Sequence, residues 1–478
     1  MVTVKIIVDH RLRVDPGELP DELQSALLEA LEIPNLEREN AKKHHVYGWQ
    51  QMPETLPMYR LEEDGHLSIP RGFQKQLISG LGDSGLDVDI VDKTEQSKVF
   101  PYKTKIVYRD HQEESVNAIL NSRMGIYKAP PGSGKTATVL AAGRASKARC
   151  LVVVNNIEIL NQWQDRIKQF HELTSKEHVG RIGGGKFEVG YYWTIATAQT
   201  LYSRYDQLEE EGFFDQFGFV CLDEMHHCTA DTYNSVMDRF SSKWRIGVSA
   251  TPDKTGDFKL AEMVLGPIIH TTKHKGLIEK GYLIEPEIVK VKTDFKFNFR
   301  GTTSRWSRSN YPDLLKSIIA DEKRNQAIVN AIKGEEGHHC LVLTKRLEHI
   351  EILKAMLEEV GYSYPVTTLT GKDKAAHREY VVDLLNREPC CVFSTLADEA
   401  LDAPRLDRGF LVYPQKNVGL IEQQVGRFER AHPDKQDAKV YDFVDLNVKP
   451  LQVQWRSRLY GYYRPRRFKV TAVNSADL

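Results

Sequence analysis

At 478 residues, 41% of them hydrophobic and 27% charged, the chain has the makeup of a globular protein of about two to four domains, which excludes a collagen-like or disordered chain. Its six cysteines (Cys150, Cys221, Cys228, Cys340, Cys390 and Cys391) sit mostly in apolar runs without a CxxC pair; this suits reduced core thiols and fits no common zinc spacing. The net charge of −1 averages unlike parts, because residues 1–100 hold 11 Lys/Arg against 18 Asp/Glu and the remainder is therefore net positive.

The opening MVTVKIIVDHRLRV is interrupted by charges, unlike a signal or transit peptide, and no run approaches the roughly 18 apolar residues of a membrane span. A cytosolic chain, or a nuclear one in a eukaryotic host, with no membrane partner is expected. Residues 1–95 read as a small α+β module, with short strands around helices at Pro20–Leu31 and Gly72–Ser79, and its local basic pair Arg71 and Lys75 is a candidate contact for nucleic acid. The polar segment Lys93–Lys105 reads as a linker.

Beyond the linker, short apolar runs alternate with amphipathic helical patterns, the signature of parallel sheets. Strands are expected at Gly125–Tyr127, Cys150–Val154, Tyr192–Thr197, Phe219–Leu222 and Trp244–Val248, then again at Cys340–Leu343, Val366–Thr370, Cys391–Ser394, Gly409–Val412 and Lys439–Asp442. Helical spacing marks Ile157–Phe170 and His349–Val360. The segment Ile288–Phe299 alternates at strand period before the polar GTTSRWSRSN stretch, a connector in which Arg300, Arg305, Trp306 and Arg308 could meet nucleic acid. The expected fold is therefore α/β: an N-terminal domain at 1–95, parallel-sheet domains at 106–275 and 321–450 joined by a connector at 276–320, and a tail at 451–478. With no dominant exposed heptad, a monomer is expected.

The chemistry-bearing residues begin at Ala129-Pro130-Pro131-Gly132-Ser133-Gly134-Lys135-Thr136, which follows an apolar strand and opens a helix, the context a phosphate-binding loop requires. Its glycines let backbone N–H groups curl around phosphates, Lys135 suits the β- and γ-phosphates, and the Thr136 hydroxyl suits Mg²⁺. Ala129 replaces the usual first glycine. The strand Phe219–Leu222 then ends in Asp223-Glu224-Met225-His226: Asp223 would hold Mg²⁺ through water, and Glu224 would orient and deprotonate the attacking water.

Asp-Glu-x-His together with this loop resembles the DExH group of superfamily 2 helicases, and further motifs of that superfamily follow in order across roughly residues 109–445. The resemblance implies two tandem RecA-like domains, ATP and Mg²⁺ as cofactors, and nucleic acid as partner. It assigns Gln112 to the adenine base and Ser249-Ala250-Thr251-Pro252, through His226, to coupling hydrolysis with movement. Asn155-Asn156, Thr197–Thr200, Cys340–Thr344 and Thr370-Gly371 correspond to strand ends that grip the nucleic-acid backbone. Gln423-Gln424-Val425-Gly426-Arg427-Phe428-Glu429-Arg430 is similar to the QxxGRxxR motif, whose two arginines serve the triphosphate. Thr395–Pro404 is similar to the EGLD motif through Glu399, Leu401 and Asp402, with Ala400 in place of glycine.

Leu160-Asn161-Gln162-Trp163, Asp-Glu-Met-His-His and the LxxxGYL segment Leu277–Leu283 make the chain most similar to XPB-like and phage UvsW-like helicases. That likeness implies a DNA partner, branched, forked or duplex, with work in repair, recombination or replication; residue chemistry alone leaves an RNA helicase or a nucleotide-gated scaffold as alternatives. Leu451–Val470 adds Arg456, Arg458, Arg464, Arg466, Arg467 and Lys469, no acidic residue, and Trp455, Tyr460, Tyr462, Tyr463 and Phe468. That mixture suits either a nucleic-acid strand or a terminal helix docked on the second domain.

Overall fold

Fully apolar five-residue runs such as Cys150–Val154 (CLVVV) can be buried on both faces only within a parallel sheet covered by helices. The computed structural model describes residues 3–225, 230–250, 258–298, 311–396 and 401–478. It divides into one unit of Met1–Pro130 with Gly134–Thr272 and a second of Lys273–Leu478 with Pro131–Ser133.

The first unit opens with strands β1 (Thr3–Val8), β2 (Arg11–Val14), β3 (Glu32–Pro34), β4 (Thr55–Pro57), β5 (Arg60–Leu61), β6 (Leu67–Pro70) and β7 (Asp87–Asp92). Five of them form a sheet of order β5-β6-β2-β1-β7, and β3 pairs with β4. Helices Asp21–Ala30 and Gln74–Asp83 supply Leu27, Leu77 and Leu81 to its core beside Val4, Ile6, Leu12 and Ile69. An eight-stranded sheet follows, from β8 (Met124–Lys128), β9 (Cys150–Val154), β10 (Val179–Gly183), β11 (Lys186–Glu188), β12 (Trp193–Thr197), β13 (Phe219–Asp223), β14 (Trp244–Ser249) and β15 (Ile268–Thr271). Its order is β11-β10-β12-β9-β13-β14-β8-β15, parallel except at the β10–β11 hairpin. All five expected strands are present.

The N-terminal sheet is fastened to this larger one by three buried arginines. Arg11 pairs with Asp238 and also donates to Ser68 Oγ at 2.8 Å. Arg71 donates to the carbonyls of Asp9 (2.8 Å) and Ser242 (2.6 Å). Arg245 donates to the His10 carbonyl at 2.6 Å. Arg71 is 2% exposed, which corrects the expectation that it contacts nucleic acid: its charge is spent inside the fold, and only Lys75 of that pair faces solvent. The linker contributes too, since Glu95 and Lys98 bridge to Ser242 and Ala148.

In the second unit, β16 (Glu287–Lys292), β17 (His339–Leu343), β18 (Val366–Leu369), β19 (Cys390–Ser394), β20 (Arg408–Leu411), β21 (Lys439–Val444) and β22 (Val470–Asn474) form a parallel sheet of order β18-β19-β17-β20-β21-β16-β22. Two expectations change here. The segment read as a connector holds β16, an inner strand whose Ile288 and Val291 are fully buried. The segment read as a tail ends in β22, paired along β16 from Val470 to Asn474.

Four of the five aromatics of 451–470 and two of its six basic residues are structural, whereas Arg456, Arg464, Arg467 and Lys469 are exposed. Trp455, Tyr462, Tyr463 and Phe468 join the core of this unit. Arg458 grips Asp442 through two bonds of 2.8 Å, Tyr463 donates to the same carboxylate at 2.8 Å, and Arg466 pairs with Glu422. The partner carboxylates lie upstream, outside the segment whose composition suggested a strand of nucleic acid. Of its aromatics, Tyr460 stays exposed, with Arg464 stacked 4.6 Å above its ring. Arg300, Arg305, Trp306 and Arg308 lie outside the described residues. Five cysteines are free and buried, and Cys228 lies outside the described residues. Among the described residues no helix is long and apolar enough to cross a membrane.

Removing one member of a buried ion pair leaves the other charge desolvated, at a cost of about 3–5 kcal/mol. Asp238→Ala should therefore destabilise the first unit by about that amount in urea unfolding and hasten protease release of residues 1–95. A pH effect is expected in the second unit. His349 is fully buried, with Nδ1 3.1 Å from Thr344 Oγ1 and Nε2 3.1 Å from Asn325 Oδ1. Burial, aided by Arg324, pushes its pKa down to about 3. The unfolded chain therefore binds the proton first, so stability falls as pH drops below about 6.5 and towards 3. The loss in Tm between pH 7.5 and 5.5 should be smaller in His349→Gln than in the wild type.

Candidate nucleotide site

The phosphate-loop sequence is positioned by β8 and by the helix Lys135–Ser146 that follows it. Gly132 and Gly134 take φ of +75° and +83°, the left-handed region that side chains resist. A β-carbon on Gly134 would stand 2.4 Å from Gln112 Nε2. Gln112 belongs to the helix Asp110–Ser122: its Oε1 accepts the Arg109 N–H at 2.9 Å, and its Nε2 donates to the Gly134 carbonyl at 3.4 Å. The structure thus brings Gln112 to the back of the loop. Ala129, Pro130 and Ser133 are buried, while Pro131, Lys135 and Thr136 are partly exposed.

Lys135 Nζ lies 3.4 Å from the Ala129 carbonyl and 3.2 Å from Glu224 Oε1. Asp223 ends β13 beside them. Its Oδ2 accepts the Trp163 indole N–H at 2.7 Å, and its Oδ1 accepts the Glu224 backbone N–H at 3.0 Å. Burial, and then the Glu224 charge, raise the Asp223 pKa to about 6, against the opposing pull of Trp163 and Lys135. Glu224 has φ of +44°, a strained conformation for a residue with a side chain. Ser249 is buried at the end of β14, and its carbonyl accepts the Ala129 N–H at 3.1 Å. His226, Thr251 and Pro252 lie outside the described residues.

In the second unit, the helix Val418–Gly426 carries Gln423 and ends on Arg427, which is buried. Arg430 Nη1 donates to Asp402 Oδ1 at 2.6 Å, so two residues matched from separate motifs meet. Glu399 and Ala400 lie outside the described residues. Between the two arginines, Glu429 points inward: its Oε2 is 3.1 Å from His274 Nε2, and its Oε1 accepts the Tyr462 hydroxyl at 3.3 Å. Lys435 Nζ donates to the carbonyls of Phe428 (2.5 Å) and Arg430 (3.0 Å), and burial lowers its pKa to about 7.

Sequence reasoning missed Lys435, His274, the bond from Tyr462 to Glu429 and the bond from Trp163. Trp163 lay in a quoted motif, but its target is 60 residues away; the others touch the arginine segment through long-range packing that leaves no periodic mark. Among the expected gripping residues, Asn156 Oδ1 caps the helix Ile157–His171 by accepting the Ile159 N–H at 2.8 Å. Thr197 Oγ1 meets Thr200 Oγ1 at 2.8 Å, and Gln199 is exposed. Thr344 is buried against His349, whereas Gly371 is exposed.

Comparison with known proteins matches residues 105–254 to the family described as type III restriction enzyme, res subunit, and residues 323–432 to the helicase conserved C-terminal domain. The DNA 3'-5' translocase XPB2 of Sulfurisphaera tokodaii is 30% identical over 382 residues, spanning 72% of this chain and 83% of that one. The chain belongs to the superfamily 2 helicases, in their XPB/UvsW-like group. A protein of Acanthamoeba polyphaga mimivirus, named as an ATP-dependent RNA helicase, is 24% identical over 433 residues, 87% of this chain and 78% of that one. The fragment structure of an HsdR subunit of a type I restriction enzyme from Vibrio vulnificus aligns with a TM-score of 0.57 at 14% identity, covering 97% of this chain and 85% of that one. At that identity the likeness speaks for the fold alone: two RecA-like helicase domains. As a superfamily 2 helicase the chain is an ATP-dependent enzyme.

Lys435→Met would leave the Phe428 and Arg430 carbonyls without their buried donor while keeping most of the side-chain volume. The arginine segment should loosen, so we expect kcat for ATP to fall about tenfold, equivalent to ~1.4 kcal/mol, with nucleotide KM changed less than threefold. Steady-state ATPase kinetics on the folded variant check this.

Proposed function

We propose that this helicase couples ATP hydrolysis to movement along DNA, with branched or forked DNA as its preferred track in repair, recombination or replication. The observation that carries the hydrolytic part is Lys135 Nζ standing 3.2 Å from the Glu224 carboxylate, beside Asp223 and at the foot of the phosphate loop. In this reading the loop amides and Lys135 bind the β- and γ-phosphates, displacing the Lys135–Glu224 pairing and freeing Glu224 to take a proton from the attacking water. Gln112 serves the adenine side, while Arg427 and Arg430 supply positive charge for the transition state.

The oxygen donors fit Mg²⁺, with Thr136 and Asp223 as its protein contacts. No group of three or more His, Cys, Asp or Glu converges among the described residues, so further oxygens would come from phosphate and water, the usual Mg²⁺ arrangement. When bound, the ion neutralises developing phosphate charge.

The 30% identity to a DNA translocase supports DNA as the track. A second reading, RNA, is favoured by the likeness to the mimiviral protein. A nucleotide-gated scaffold would not need the hydrolytic carboxylate and both arginines, all of which are retained. Lys135→Ala should abolish ATP turnover, by a factor of at least about 10³, since it removes charge stabilisation worth several kcal/mol. ATPase and strand-separation assays over forks, four-way junctions, duplex DNA and matched RNA should show the greatest stimulation with forks or junctions; stimulation by RNA alone would overturn the DNA reading.

A further inference from the structure

Both oxygens of Asp223 are tied. Oδ2 accepts the Trp163 indole N–H at 2.7 Å and Oδ1 the Glu224 backbone N–H at 3.0 Å. Trp163 lies on the helix Ile157–His171, is 3% exposed, and shares a core with Val152, Cys221 and Ile246. Packing alone would be met there by phenylalanine or leucine; what tryptophan adds is a single N–H donor on a rigid apolar plate. That donor is aimed at a carboxylate 60 positions further along the chain.

A carboxylate offers about four lone-pair positions. Two are taken by Trp163 and Glu224, which fixes the rotation of the group about its Cβ–Cγ bond and leaves one lone pair on each oxygen. An alternative partner is at hand, because Lys135 Nζ stands 3.2 Å from the carboxylate of the adjacent Glu224. An untethered Asp223 could turn onto Lys135, occupying both the metal carboxylate and the phosphate lysine at once.

We propose that Trp163 is a positioning residue for ATP hydrolysis, holding the Asp223 carboxylate in the rotation that receives the metal ion and its water. The proposal rests on reading this site as an Mg²⁺–ATP site. Trp163 touches neither nucleotide nor metal in this scheme; it acts through Asp223.

The test uses the full chain and a fluorescent ATP analogue, with affinity measured in EDTA and across an Mg²⁺ titration. In Trp163→Phe the affinity in EDTA should stay within about twofold of wild type, because the loop is untouched. The gain in affinity on adding Mg²⁺ should shrink about tenfold, and the Mg²⁺ concentration for half-maximal ATPase should rise by a similar factor, in line with loss of a hydrogen bond to a charged group. High Mg²⁺ should restore part of the rate. Should Trp163→Phe fail to fold, a chain with 3-benzothienylalanine at position 163 keeps the indole shape and lacks the N–H; the same shift is expected in it. An unchanged Mg²⁺ dependence in the folded variant overturns the proposal, as does an equal loss of affinity with and without Mg²⁺, the mark of a merely structural role. Failure of the wild-type chain itself to bind nucleotide with Mg²⁺ would overturn the reading of the site instead.

Discussion

The register of four parallel strands, β9-β13-β14-β8, is the constraint on which the first unit's chemistry depends. In it Asp223 lies opposite Val248, and Ser249 opposite Lys128. Parallel strands all end on one edge, so the phosphate loop after β8, the carboxylates after β13 and the Ser249 end of β14 emerge side by side. The Ala129 N–H to Ser249 carbonyl bond extends the ladder one residue into the loop. A slip of one residue in β13 would turn Asp223 to the opposite face of the sheet. The largely apolar buried runs that hold the register are thus part of the site.

The same logic explains why so many charges are buried away from that edge. Arg324 pairs with Asp445 at 2.9 Å, Arg408 with Glu335 at 2.6 Å, and Arg458 with Asp442 at 2.8 Å. Desolvation cancels most of the attraction in such pairs, so their net stabilisation over apolar contacts is small. Their directional demand is large, because a fork of donors tolerates few geometries. In the second unit these pairs lie at the ends of β20 and β21 and along the helices packed on them, where they fix how the sheet and its helices meet.

Much of this was legible in the chain itself. All ten expected parallel strands formed within about a residue or two of their expected bounds, because short, mostly apolar runs separated by amphipathic segments admit few folds. Short motifs that combine a backbone requirement with a charge, such as Gly132-Ser133-Gly134-Lys135, were legible for the same reason. What escaped was every feature that depends on a distant partner. Arg71 reads as a surface cation until Asp9 and Ser242 are seen around it. Ile288–Phe299 reads as strand-like but within a connector, because its alternation does not show that Glu287–Lys292 will lie between β21 and β22. The 451–470 segment lacks acidic residues, yet Arg458 and Arg466 are neutralised by Asp442 and Glu422, which precede it in the chain, and for these two the docked-helix reading holds.

That last point bears on how the motor holds its track. Of the basic residues at 451–470, Arg458 and Arg466 are committed to buried carboxylates, as Arg11 is to Asp238, while Arg71 and Arg245 serve carbonyls; Arg456, Arg464, Arg467 and Lys469 stay exposed. Grip on a phosphate backbone would then fall to neutral polar groups and main-chain amides at strand ends, such as the exposed Gln199 and Gly371, together with the lysines and arginines that remain at the surface. Donors of that kind fix a backbone by direction more than by charge, and read no sequence.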